Sequence, residues 1–177
     1  MTVNLLTDIC VAVLVSIAGA SDIRSRRIPN WLTLSGVCAG LVLHASTAGY
    51  AGTGVSAAGM MLGFGAYFVL YCLRAMGAGD VKLMAAVGAI VGPAGWISVF
   101  VATAIAGGLL ALGLVIFKRR LRQTVWNVFF IVSEIAQFRA PYKRRGDLDV
   151  KDERSLKMPH GVAIAAGTAA VLLLAHV

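Results

Sequence analysis

The chain has 177 residues, 59% hydrophobic and 14% charged, with a net charge of +8 and a mean hydropathy of +0.83. So apolar a composition excludes an ordinary soluble domain, which needs far more polar surface to meet water. The positive charge is confined to Arg24–Arg27, Arg74–Lys82 and Lys118–Lys157, between apolar blocks, so it reads as membrane topology and contact with anionic lipid, not nucleic-acid binding.

In chain order, the apolar blocks predict six spanning segments, at 3–21, 31–49, 55–75, 81–95, 96–117 and 160–177. The first ends in Ala18-Gly19-Ala20-Ser21, like a signal peptide, but no basic stretch precedes it and its positive charges follow it. That order predicts a retained helix with its amino terminus outside. The connections then alternate: 22–30 is basic, 44–54 carries no Lys or Arg, 74–80 is charged, and 92–95 is an uncharged Gly-Pro-Ala-Gly turn. The stretch 118–158 holds eleven of the sixteen basic residues. Alternation of this kind predicts charged loops in the cytoplasm and both termini outside.

Two segments depart from a simple span. Between Asp80 and Gly92 lie eleven residues, about 17 Å of helix, against a hydrocarbon core of about 30 Å. Either the entry at Asp80 or the turn at Gly92 is therefore expected inside the membrane, where non-helical backbone is tolerated only against protein or a wet cavity. In 121–138, Gln123, Asn127, Glu134 and Gln137 form a narrow polar stripe on an apolar segment, predicting a helix lying in the cytoplasmic interface; the alternative is a seventh span, which would put the last helix the other way up. Small residues such as Gly59, Gly63, Gly107, Gly108 and Ala111 suit close helix packing.

Cys10, Cys38 and Cys72 stand singly, so no zinc site or disulfide framework is indicated. Of the eight acidic residues, Asp147, Asp149, Asp152 and Glu153 sit in the polar loop, Glu134 lies on the stripe, and Asp8 falls in the outer half of the first span. Asp22 and Asp80 differ, since each lies at the cytoplasmic end of an apolar span. At similar depth on different helices they are able to meet. Two nearby carboxylates tend to share one proton, so one can activate water while the other protonates a carbonyl. Each also has a plainer reading: Asp80 as the N-cap of a helix, and Asp22 as an interfacial charge near Arg24. Spacing alone leaves these readings open.

Gly77-Ala78-Gly79-Asp80-Val81-Lys82 reads GxGDxK, and continued as GxGDVKLMAAVGA it resembles the second aspartate motif of the type IV prepilin peptidases, a branch of the GxGD intramembrane aspartyl proteases. Asp22-Ile23-Arg24 with Arg27-Ile28-Pro29-Asn30 is similar to that family's first aspartate motif. Met158-Pro159-His160-Gly161-Val162-Ala163 is similar to a family segment opening the last helix. The resemblance runs from about residue 15 to the end. It implies that Asp22 and Asp80 are the catalytic dyad, and that Gly77 and Gly79 bring backbone close to substrate. It leaves Lys82 to tune the dyad's charge, to orient a loop, or to reach lipid phosphates, and it makes no motif-level claim for His160, which reads as structural. Larger members carry paired CxxC motifs and also N-methylate their product. Without CxxC, and with no room for that domain before its first helix, this chain resembles the short, peptidase-only form of tight-adherence (Flp-type) pilus systems.

These readings together predict an all-α, six-helix transmembrane bundle forming one peptidase domain over 1–177, with a cytoplasmic loop at 118–158. The expected activity is removal of a leader peptide from prepilins at the cytoplasmic face of the bacterial inner membrane, with no metal or organic cofactor. The partners implied are a prepilin and membrane lipid. The alternatives from other classes are a proton-coupled transporter, since intramembrane carboxylates also mark ion pathways, and a non-enzymatic pilus-assembly scaffold.

Overall fold

The computed structural model describes residues 5–117, 126 and 160–175; the 121–138 stripe, Trp126 apart, and the 118–158 loop lie outside the described residues. Every element among the described residues is a helix: α1 (Leu5–Ser25), α2 (Asn30–Cys72), α3 (Ala78–Phe117) and α4 (His160–Ala175). The first three are each long and apolar enough to cross a membrane, while α4 is a shorter apolar helix. Large apolar side chains such as Leu5, Ile9, Leu34, Val69, Ile105 and Leu173 point outward from the bundle, as lipid contact allows. The protein is an integral membrane protein.

The long helices do not run straight. In α2, Ala48 and Gly49 leave helical geometry, Gly49 at φ 55° and ψ −133°. On either side, His44 Nε2 lies 3.0 Å from Ile90 O and Ser56 Oγ donates to Ala89 O at 2.8 Å. Twelve residues of straight helix would separate 44 from 56 by about 18 Å, so the two can reach neighbouring carbonyls only because the chain folds back at Gly49. The expected uncharged connection at 44–54 is thus a break of two residues, made possible by a residue without a Cβ at positive φ.

A second break falls at Gly92 (φ 71°, ψ 178°) in α3. A Cβ on Gly63 would meet both Met84 O and Trp96 Nε1, which lie on opposite sides of that break. The expected turn at 92–95 is therefore shorter. Pro93 already begins the second arm, where its missing N–H and fixed φ suit a first helical turn.

The first arm of α3 is the centre of the molecule. Leu83, Met84, Ala85, Ala86, Val87, Gly88, Ala89 and Ile90 are all buried. Gly36 and Gly40 of α2's first arm press on Ala86 and Ala89, while Gly59 and Gly63 of its second arm press on Gly88 and Met84. A helix too short to span hydrocarbon is acceptable here because protein, not lipid, surrounds it.

The remaining boundaries shift from expectation for local reasons. The first helix continues past 21 to Ser25 and ends where Arg26 takes φ 51°; the hydroxyls of Ser21 and Ser25 then hold the Arg27 carbonyl at 2.8 and 3.3 Å. Helix α2 ends in a Schellman motif: Ala75 N–H donates to Leu70 O and Arg74 N–H to Tyr71 O, with Arg74 at φ 56°.

Candidate active site

Asp22 lies in the last turn of α1 and Asp80 in the first turn of α3, so both carboxylates sit at the same end of the bundle. Asp22 is 9% exposed and Asp80 8%, a burial that rules out ordinary solvated surface charges. The two are within electrostatic reach of each other, and Asp80 is also within reach of His160.

Each carboxylate is anchored by a backbone amide at the start of a helix. Asp22 Oδ2 accepts the Gly161 N–H at 2.8 Å, at the amino end of α4. Asp80 Oδ2 accepts the Gly77 N–H at 3.2 Å, and Gly77 O accepts the Asp80 N–H at 3.2 Å. Asp80 is therefore not the N-cap that one reading expected. Gly77 holds that position, and Asp80 reaches back from three residues inside, as the acid of a capping box does. The partner recorded for Asp22 is likewise an amide 139 residues away, not the nearby Arg24. In both cases the bond uses Oδ2.

The loop 26–29 and the entry to α3 are interlocked. A Cβ on Gly79 would lie 3.3 Å from Ile28 Cβ, so the bare glycine lets the two motif segments pack directly. Lys82 Nζ donates to Asn30 Oδ1 at 2.8 Å, joining the first residue of α2 to the second turn of α3. Gly77 contributes its N–H, and Gly79 contributes its lack of a side chain.

The structure adds two residues to those singled out by sequence. His160, expected to be structural, opens α4 beside Asp80. Gly161 touches Asp22 so closely that an added Cβ would lie 2.9 Å from Asp22 Cβ. The available signal was the Met158-Pro159-His160-Gly161 segment itself, which marked the helix start but not what it faces. Tyr67, buried in α2's second arm, also lies within reach of Asp80.

Asp8 is not brought to this site. Fourteen residues of helix, about 21 Å, separate it from Asp22, and it lines a cavity of about 630 Å³ with His44 and Thr168 at the other end of the bundle. Among the described residues, no group of three or more His, Cys, Asp or Glu side chains is arranged to hold a metal ion.

A buried pair of carboxylates, each hydrogen-bonded by an amide at a helix amino terminus, is suited to acid–base chemistry. The type IV leader peptidase family model matches residues 9–112, well over half the chain and inclusive of both aspartates. No curated protein and no solved structure matches the chain. The chain belongs to the type IV leader peptidase family.

Proposed function

We propose that this member of the type IV leader peptidase family is an aspartyl endopeptidase that removes the leader from prepilins, with Asp22 and Asp80 as its catalytic pair. The observation that carries the reading is the pairing itself. Two buried carboxylates from helices 58 residues apart in the chain are fixed at one end of the bundle by separate backbone amides.

The chemistry follows from that arrangement. The carboxylates share one proton because both cannot ionise cheaply at short range. The ionised member takes a proton from water, whose oxygen adds to the scissile carbonyl carbon while the protonated member donates to the carbonyl oxygen. Collapse of this tetrahedral intermediate breaks the C–N bond as the amine nitrogen takes a proton. The products are a leader ending in a carboxylate and a mature chain with a new amino terminus. Proximity and acid–base catalysis supply the rate, without a nucleophile on the enzyme.

The fold-back of α2 at Gly49 and of α3 at Gly92 supports a membrane bundle of six helical arms, with the basic residues at 24–27, 74 and 82 on the cytoplasmic side of the bacterial inner membrane. The active site then faces the cytoplasm, where a basic leader would be presented. The singly placed cysteines and the resemblance to the short, Flp-associated form lead us to assign no methyltransferase activity.

The test is co-expression with a candidate prepilin from the same genome, following the precursor on a gel. Wild type should process it, and Asp22→Asn and Asp80→Asn should leave it intact at equal membrane levels. Processing that survives either substitution refutes the pair and moves the transporter or scaffold readings ahead.

A further inference from the structure

A second polar cluster lies at the opposite end of the bundle from the carboxylate pair. There a cavity of about 630 Å³ is lined from all four helices, with Val11, Ile90 and Val99 as its buried apolar floor. Its volume falls within the range of sites for small organic ligands, about 300–1,000 Å³, and such sites form between the helices of bundles. Phe117 and His160, which flank the longest stretch outside the described residues, lie toward the carboxylate end, away from this cavity.

Asp8, which lines the cavity, is not an ordinary surface charge. The roughly 21 Å of helix between Asp8 and Asp22 is less than the hydrocarbon thickness of about 30 Å, so the two cannot both stand among lipid headgroups. Asp22 borders the basic connection at 24–27, which leaves Asp8 within the apolar depth of the membrane. An ionisable side chain at that depth marks a functional site that supplies it with a partner.

Three polar side chains of the cavity present hydrogen-bond acceptors. His44 Nε2 lies 3.0 Å from Ile90 O; a carbonyl has no proton to give, so Nε2 donates and the neutral ring keeps Nδ1 as its acceptor. Thr47 Oγ1 directs its one proton to Leu43 O or His44 O, each at 3.1 Å, and keeps its lone pairs. Asp8 is the only carboxylate among the lining residues. A carboxylate has about four acceptor positions, so it can take a ligand besides the contact it already makes.

We propose that this cavity binds a primary ammonium carried on an apolar body. The positive charge meets Asp8, and the three N–H donors meet Asp8, His44 and Thr47. The apolar body lies on the floor and displaces water that such walls order poorly. A metal ion suits the site less, because the described residues gather no group of three His, Cys, Asp or Glu side chains, and Ca²⁺ takes about 6–8 oxygen ligands. The same chemistry is offered by an ethanolamine-headed phospholipid in the leaflet at that end and by a free alkylamine. The site is separate from the carboxylate pair and does not depend on the peptidase reading. Its occupant joins all four helices at one end, so it acts on stability and takes no part in bond cleavage.

The probe is octylamine, added to the purified full chain in neutral detergent, with thermal unfolding as the readout. Octyltrimethylammonium, which has the charge but no N–H, and octanol, which has a hydroxyl but no charge, are the comparators. Octylamine should raise Tm saturably, and each comparator should bind at least about tenfold more weakly, the lower end of what a charge-assisted hydrogen bond contributes. Asp8→Asn should weaken octylamine by at least about tenfold, and Thr47→Val, at an exposed position, by about threefold. Asp80→Asn, which alters the other carboxylate site, should bind it as wild type does. Bilayer nanodiscs then identify the source. A Tm higher in phosphatidylethanolamine than in phosphatidylcholine for wild type, but not for Asp8→Asn, assigns the site to the lipid headgroup. Equal Tm in the two lipids, with octylamine still bound, assigns it to a free amine. Octylamine affinity unchanged in Asp8→Asn or in Thr47→Val, matched by either comparator, or lost in Asp80→Asn overturns the proposal. So does binding seen only after deletion of residues 2–4, since the cavity would then belong to this chain's own amino end.

Discussion

Replacing Gly161 by Ala adds one methyl group at the contact that holds Asp22. That Cβ would lie 2.9 Å from Asp22 Cβ and 2.9 Å from Oδ2, where carbon atoms normally sit about 3.5–4.0 Å apart. Relief therefore requires a displacement of roughly 0.6–1.1 Å, and Asp22 Cβ is attached to the backbone of α1, so rotating the carboxylate alone does not provide it. A misplacement of about 1 Å costs on the order of 100-fold in rate when geometry governs the reaction. Alanine is the better helix former by about 1 kcal/mol, so on propensity alone the variant should be, if anything, more stable. Activity and stability are thus expected to part company. The assay is a time course of precursor processing in membranes, with enzyme levels equalised by immunoblot and Gly65→Ala as a control whose Cβ meets nothing. Processing by Gly161→Ala within threefold of wild type would refute the claim that this contact positions the carboxylate. So would an equal loss in Gly65→Ala.

Asp8→Asn should process precursor within twofold of wild type, because Asp8 lies at the far end of the bundle from Asp22; the same gel assay checks it. Lys82→Met and Asn30→Ala should each slow processing several-fold, and the double variant should be no slower than the worse single, since the two remove one hydrogen bond; a double-mutant cycle on initial rates measures this. Ser56→Ala should lower stability in detergent by about 0.6 kcal/mol, the average for hydrogen bonds between membrane helices, and by no more than about 1.7 kcal/mol, while preserving activity at low temperature. Gly59→Ala should deplete folded protein from the membrane, since its Cβ would strike Gly88 O and the Gly92 backbone, and overpacking typically costs about 1–3 kcal/mol even where side chains can yield.

What could be read in the sequence was what depends on neighbours along the chain. Asp22 and Asp80 were visible because each borders an apolar run, and the motifs around them carried the family resemblance. The reversals near 49 and 92 were visible as glycine-containing, uncharged interruptions, although their tightness depends on the dihedral angles of single residues. Contacts between distant segments were not legible. The Lys82–Asn30 bond spans 52 residues and the Gly161–Asp22 bond spans 139, and neither leaves a periodicity.

The same distant contacts explain why the last helix matters to a site whose acidic residues lie in the first half of the chain. The two anchoring amides come from different elements: the start of α3 supplies the one for Asp80 and the start of α4 the one for Asp22. The pair is therefore only as well aligned as the two helix starts are with respect to each other.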